Sequence, residues 1–129
     1  MLRNVQYYMN LHLPRALDNM RYRFRNTPII YGIRCRVTGK MYIGSTLTPQ
    51  NRFQKHLIAN THSSPDLQAD IQKYKLPSIT VYILEIVQFP THLSESQYSS
   101  YLKQVEQTYI DRWPEAKRYN RRDSYVCKN

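Results

Sequence analysis

Cysteine is scarce in this chain, and its two examples do not pair by pattern. Cys35 and Cys127 stand far apart and in no CxxC, so neither a disulfide framework nor a zinc ribbon is indicated, and a reducing, intracellular setting fits. Long apolar runs are missing as well. Nothing approaches the roughly 18 residues that a membrane-spanning helix needs, and no secretory hydrophobic segment stands out. Acidic residues are the third shortage: 9 Asp and Glu face 19 Lys and Arg, for a formal charge of +10. That imbalance suits phosphate backbones or anionic membrane surfaces, and nucleic acid is the simpler partner. A length of 129 residues allows one domain around one hydrophobic core, without room for a second targeting domain of ordinary size.

Tyrosine, by contrast, is frequent at 12 residues, which suits a surface that stacks on bases or reaches phosphates, although most such rings are expected to be half-buried. Residues 1–27 hold Arg3, Arg15, Arg21, Arg23 and Arg25 against the lone acid Asp18, a bias shared by organelle transit peptides and by basic arms that track DNA. Pro14 followed by Leu17, Met20 and Phe24 predicts a short helix beginning near Leu13. The expected organisation is a basic N-terminal arm or helix over residues 1–27, docked on a domain spanning 28–129.

The richest stretch runs from Ile29 to Leu57. Two β-branched and aromatic runs, Ile29 to Val37 and Met41 to Ser45, flank Thr38-Gly39-Lys40, where Gly supplies the positive φ of a hairpin turn. Thr48-Pro49 then opens a helix to about Ala59, with Arg52 and His56 four residues apart on one face. Turn formers from Asn60 to Pro65 interrupt it. A further helix is predicted from Asp66 to Tyr74, and a strand from Ser78 to Gln88 between Pro77 and Pro90, with Glu85 pointing outward near its end. Ser94, with Gln97 at the reciprocal position of a capping box, starts a last helix with an apolar stripe that Pro114 stops. Glu106 falls at the border of that stripe, where a bland reading pairs it with Lys103 or Arg112. Tyr31 and Tyr42 likewise have a bland reading, as cross-strand partners that hold the hairpin.

Two strand tyrosines followed by Arg52 and His56, in that order, resemble the signature of the GIY-YIG nuclease family. The second half-motif stands as Tyr42-Ile43-Gly44, followed by Ser45; the first reads Ile29-Ile30-Tyr31, with Ile where the family usually has Gly. The likeness extends to His62-Ser63-Ser64, similar to a segment of the family's homing endonucleases, to Val105 through Asp111, which looks like the motif helix bearing the metal-binding Glu, and to the closing Tyr119-Asn120. It implies an α+β fold with a small three-stranded antiparallel sheet flanked by helices, in the order β-β-α-α-β-α. It further implies a DNA endonuclease of homing type, with one divalent metal ion, Mg²⁺ or Mn²⁺, on Glu106. The residues that it nominates for catalysis are Tyr31, Tyr42, Arg52, His56 and Glu106, and those for substrate contact are Lys40, Gly44, Ser45, His62 and Asn120.

Those residue types suit phosphodiester hydrolysis, which requires an activated water, a counter-charge for the phosphoryl oxygens and help for the departing 3′ oxygen. Mg²⁺ binds through one or two carboxylates and completes its shell with water and phosphate oxygen. Arg52 offers a planar fork for two phosphate oxygens. Within what the family implies, Tyr31 accepts the water's proton, with His56 or Lys40 favouring the phenolate in a water-lined pocket, and Tyr42 orients water or phosphate. The expected substrate is double-stranded DNA, with no membrane partner; cutting both strands would call for a dimer or two successive visits, and family habit suggests a mitochondrial intron product. The alternatives are a catalytically inactive DNA- or RNA-binding module on the same fold, for which Ile29 is the motive, and a basic protein of the membrane surface.

Overall fold

The two runs on either side of Gly39 pair as the turn chemistry predicts, and they form half of the sheet around which the chain is arranged. The computed structural model describes residues 6–61 and 64–120. Strands β1 (Gln6–Tyr8), β2 (Ile29–Cys35), β3 (Met41–Thr46) and β4 (Ile79–Ile86) lie in the order β1-β4-β2-β3, with every neighbouring pair antiparallel. The architecture is α+β, with four strands where three were expected. The addition is β1, contributed by the N-terminal segment, which hydrogen-bonds to the edge of β4 that the hairpin leaves open. Gly39 adopts φ 78°, the left-handed conformation that closes the hairpin.

Helix α1 (Pro14–Arg23) begins with Pro in its first turn, as does α2 (Pro49–Phe53), which runs directly into a wide π-helical turn, Gln54–Ile58. Helix α3 (Pro65–Tyr74) is capped by the Ser64 hydroxyl, which accepts from the Leu67 amide at 3.1 Å. The long α4 (Glu95–Arg112) carries the predicted capping box of Ser94 and Gln97. No helix among the described residues is long and apolar enough to cross a membrane.

Alternation along β2 divides the apolar residues between two layers. On one face Ile29, Tyr31, Ile33 and Cys35 join Leu17 and Met20 of α1, Phe24 just after it, Phe53 and Leu57 of the α2 segment, and Leu67 and Ile71 of α3. On the other, Ile30, Met41 and Ile43 pack with Leu102 and Ile110 of α4. Ile29 is fully buried in the first layer, so the side chain that departs from the family pattern is accommodated as core.

Two irregularities lie beside the first layer. The β2–β4 register skips at Ile30/Tyr31: Ile30 faces Glu85 and Tyr31 faces Ile83, leaving Leu84 as the extra residue of a bulge. Such bulges redirect neighbouring side chains. Meanwhile the outer edge of β3 is covered by residues 118–120, where the Tyr119 amide donates to the Met41 carbonyl at 2.8 Å. The strand edge is thereby closed to further pairing.

Candidate active site

Tyr31 projects from the middle of β2 towards the α2 segment and is fully buried. Its register partner is Gly44, and Tyr42 lies two residues away on the same face of β3, paired with Ile33. The tyrosines are therefore diagonal neighbours rather than directly opposed, with ring centroids 6.5 Å apart. The close approach is at Gly44. A Cβ built there would stand 2.5 Å from the Tyr31 hydroxyl oxygen and 2.6 Å from Cζ, so only glycine leaves room for the phenol.

His56 meets the same phenol from the π-helical turn. Its Nε2 is 2.7 Å from the Tyr31 oxygen, both residues are fully buried, and the imidazole also lies 5.5 Å from the Tyr42 ring. Phe53 completes the setting edge-on to Tyr31 at 5.3 Å. A π-helical turn widens the backbone spacing after Phe53, and such insertions recur at functional sites. Tyr42 is half-buried.

Burial, more than any other cause, raises the proton affinity of Tyr31 well above that of an ordinary tyrosine, with the Tyr42 phenol adding to the rise. The Arg52 guanidinium opposes it, and the Glu106 carboxylate acts in the same direction as burial. A guanidinium and a carboxylate thus both bear on one phenol. Sequence reasoning expected a water-lined pocket; the Tyr31 ring itself is closed to bulk solvent, because Phe53, His56 and the core of the first layer enclose it. The cation that restrains its proton affinity is Arg52; Lys40, on the hairpin turn, instead has its ammonium 6.0 Å from the Tyr119 ring.

Glu106 belongs to α4 and to the opposite layer, buried at 5 % exposure. Ser45, the residue after Gly44, donates its hydroxyl to Glu106 Oε1 at 2.5 Å, and the exposed Lys103 ammonium lies 3.5 Å from the same oxygen. Consecutive residues of β3 therefore meet the two nominated groups from opposite faces of the strand: Gly44 admits the phenol, and Ser45 bonds the carboxylate. Both contacts fall on Oε1, which leaves Oε2 without a hydrogen bond among the described residues. No group of three or more His, Cys, Asp or Glu gathers among those residues. The donor set fits a hard divalent ion that takes one carboxylate, waters and a substrate phosphate oxygen, and does not fit a cage made by protein alone.

Asn120 is buried with both amide atoms engaged: Oδ1 accepts from the Ile43 amide and Nδ2 donates to the Ile43 carbonyl, each at 2.8 Å. It pins the middle of β3, between Tyr42 and Gly44. Glu85 is half-buried and accepts from the Tyr109 hydroxyl at 2.6 Å, on the α4 side of the sheet. His62 lies outside the described residues. Sequence reasoning missed the tie between Ser45 and Glu106 and the enclosing role of Phe53; the second had a signal, since Phe53 follows Arg52 on the same short helix.

Residues 27–120 match the family model of the GIY-YIG catalytic domain. No curated protein and no solved structure matches the chain.

Proposed function

The chain belongs to the GIY-YIG nuclease family, and from that premise we propose that it is a DNA endonuclease hydrolysing phosphodiester bonds with one divalent metal ion, Mg²⁺ or Mn²⁺, held on Glu106. The observation that carries this reading is the 2.7 Å contact between Tyr31 and His56, the two residues that the strand and the helix after it bring together.

A phenol whose proton affinity is raised stays protonated at neutral pH, so Tyr31 takes a proton only as it gives one up. His56 Nε2, 2.7 Å away, takes that proton in the tautomer that leaves this nitrogen unprotonated. As water attacks phosphorus, its proton passes to the Tyr31 oxygen and the Tyr31 proton to Nε2, while the bond from phosphorus to the 3′ oxygen breaks. Base assistance of this kind typically gives about 10²–10⁴-fold in rate. Since the phenol is closed to solvent in the free protein, this relay requires the site to open to the attacking water as DNA binds. Arg52 meets the non-bridging phosphate oxygens with a charged fork. Glu106, steadied by Ser45, would hold the divalent cation, whose chemistry there would be to neutralise charge on the phosphoryl group and on the departing oxygen. Tyr42, half-exposed beside them, orients water or phosphate, and Asn120 keeps the β3 backbone in place beneath the site.

The finer reading is a homing-type enzyme of intron origin acting on double-stranded DNA; one such centre cuts one strand, and cleavage of both calls for a second protomer or a second visit. The test is nicking of supercoiled plasmid with and without Mg²⁺. Cleavage is expected from the wild type and abolished in Glu106→Ala and Arg52→Ala. Binding without cleavage at every protein concentration would instead favour an inactive nucleic-acid-binding module, and undiminished cleavage by both variants would remove the mechanism.

A further inference from the structure

Helix α1 lies outside the matched residues 27–120, yet it is built into the fold beside the site. Leu17, Met20 and Phe24 enter the layer that contains Tyr31. Arg21 Nε donates to the Gln50 carbonyl at 2.9 Å, and Gln50 and Asn26 exchange bonds of 3.0 and 2.7 Å. α1 is thereby clamped to α2, the short helix that bears Arg52.

The exposed surface of this helix and of the turn after it is basic. Arg15, Arg23 and Arg25 are exposed, and none makes an ion pair among the described residues. Asp18, the one acid between residues 6 and 27, lies 3.6 Å from Arg21 and so offsets that cation rather than the other three. Tyr22 stands 72 % exposed among them, with the Arg25 guanidinium 5.0 Å from its ring centroid, and Arg23 lies 5.5 Å from that of Phe24. Guanidinium groups held against rings lose less freedom when they bind an anion. An exposed ring within such a set offers contact area but no charge of its own.

We propose that the basic surface formed by Arg15, Tyr22 and Arg23 of α1 with Arg25 of the turn after it docks the backbone of duplex DNA beyond the phosphate being cut. The inference rests on the nuclease reading for its ligand. The warrant is charge complementarity, together with continuity: the clamp through Arg21, Asn26 and Gln50 fixes the helix that bears this surface to the helix carrying Arg52. Backbone contacts of this kind position the protein and raise affinity without reading sequence.

The test compares Arg15→Gln/Arg23→Gln/Arg25→Gln with its parent, both carrying Glu106→Gln so that binding is read without cutting. Duplex affinity is measured against salt concentration, and thermal unfolding checks the fold. The expected result is an unchanged unfolding midpoint and a log K against log salt slope shallower by about 0.9 for each phosphate no longer neutralised, so by about 2 to 3 in all. Should the triple variant unfold, Arg15→Gln and Arg25→Gln singly carry the same test, each expected to lower the slope by about 0.9. An unchanged slope and affinity overturns the proposal, as does a variant that no longer binds anionic vesicles while its DNA slope is unaltered. Cleavage by the otherwise wild-type protein is scored separately. Absent cleavage with a shifted slope sinks the nuclease reading and keeps this surface; normal cleavage with an unshifted slope does the reverse.

Discussion

The hydroxyl oxygen of Tyr31 lies 2.5 Å from the point where a Cβ would start on Gly44, across the β2–β3 ladder. The second glycine of the signature is thus a steric requirement set by the phenol of the first half-motif. Gly44→Ala is expected to displace the ring from its 2.7 Å contact with His56 and to destabilise by about 1–3 kcal/mol, the usual range for overpacking a core. Denaturant unfolding together with single-turnover cleavage checks this, with activity falling further than stability explains. A variant of wild-type stability and activity would show that the phenol can relocate at no cost.

Alkaline pH should weaken the fold through the same phenol. The unfolded chain releases a tyrosine proton near pH 10, whereas burial keeps Tyr31 protonated well above that, so both states hold the proton below pH 10 and only the unfolded one loses it above. Stability is therefore complete below about pH 10 and declines as pH rises towards the folded value. Tyr109, pushed up to about 12 by burial and by its bond to Glu85, adds to the decline between those limits. Denaturation midpoints measured from neutral pH upward should fall less steeply in Tyr31→Phe than in the wild type. Equal slopes would place the Tyr31 phenol in contact with water.

How far the molecule could be read from its sequence differs from element to element. The hairpin at Gly39, the helix starts at Pro49 and Ser94, the Ile79–Ile86 strand and the stripe of α4 each carry a local chemical signal, and each appears within a few residues of its expected place. β1 carries none: three residues are too few to show an alternation, and Gln6–Tyr8 becomes a strand because β4 offers an open edge. The π-helical turn and the bulge at Leu84 are likewise shifts of backbone bonding to which no side chain points. In the site, order along the chain nominated Tyr31, Arg52, His56 and Glu106. It could not show that Tyr31 is buried, since solvent exposure depends on what Phe53 and His56 cover, nor that Ser45 is a partner of Glu106 across two elements.

Ser45→Ala should act on metal use more than on stability. The Ser45 hydroxyl steadies Oε1 of the carboxylate proposed to hold the cation, and removal of such supporting bonds typically costs about 10–100-fold in metal affinity or activity. The measurement is the Mg²⁺ concentration for half-maximal cleavage, expected to rise while saturating Mg²⁺ restores most of the rate. No rise would mean that Ser45 does not position the metal-bearing oxygen.

Asn120→Ala removes both bonds to the Ile43 backbone and leaves a buried amide and carbonyl of the edge strand without those partners. At about 0.5–1.5 kcal/mol net for each bond, a decrease of about 1–3 kcal/mol is expected in denaturant unfolding. Cleavage should weaken with it, through β3 and the placement of Gly44 and Ser45. A change below a few tenths of a kcal/mol would mean that water replaces the amide.

That Tyr31 and Glu106 serve one reaction centre, although they project from opposite layers of the sheet, is tested most directly by single-turnover DNA cleavage in Mg²⁺ by Tyr31→Phe, Glu106→Gln and the double variant. Groups that act as a unit show strongly non-additive losses. The expected result is that each single substitution costs about 10²-fold or more and that the double costs little beyond the worse of the two. Losses that multiply, or a single variant that cuts as fast as the wild type, would contradict a shared centre.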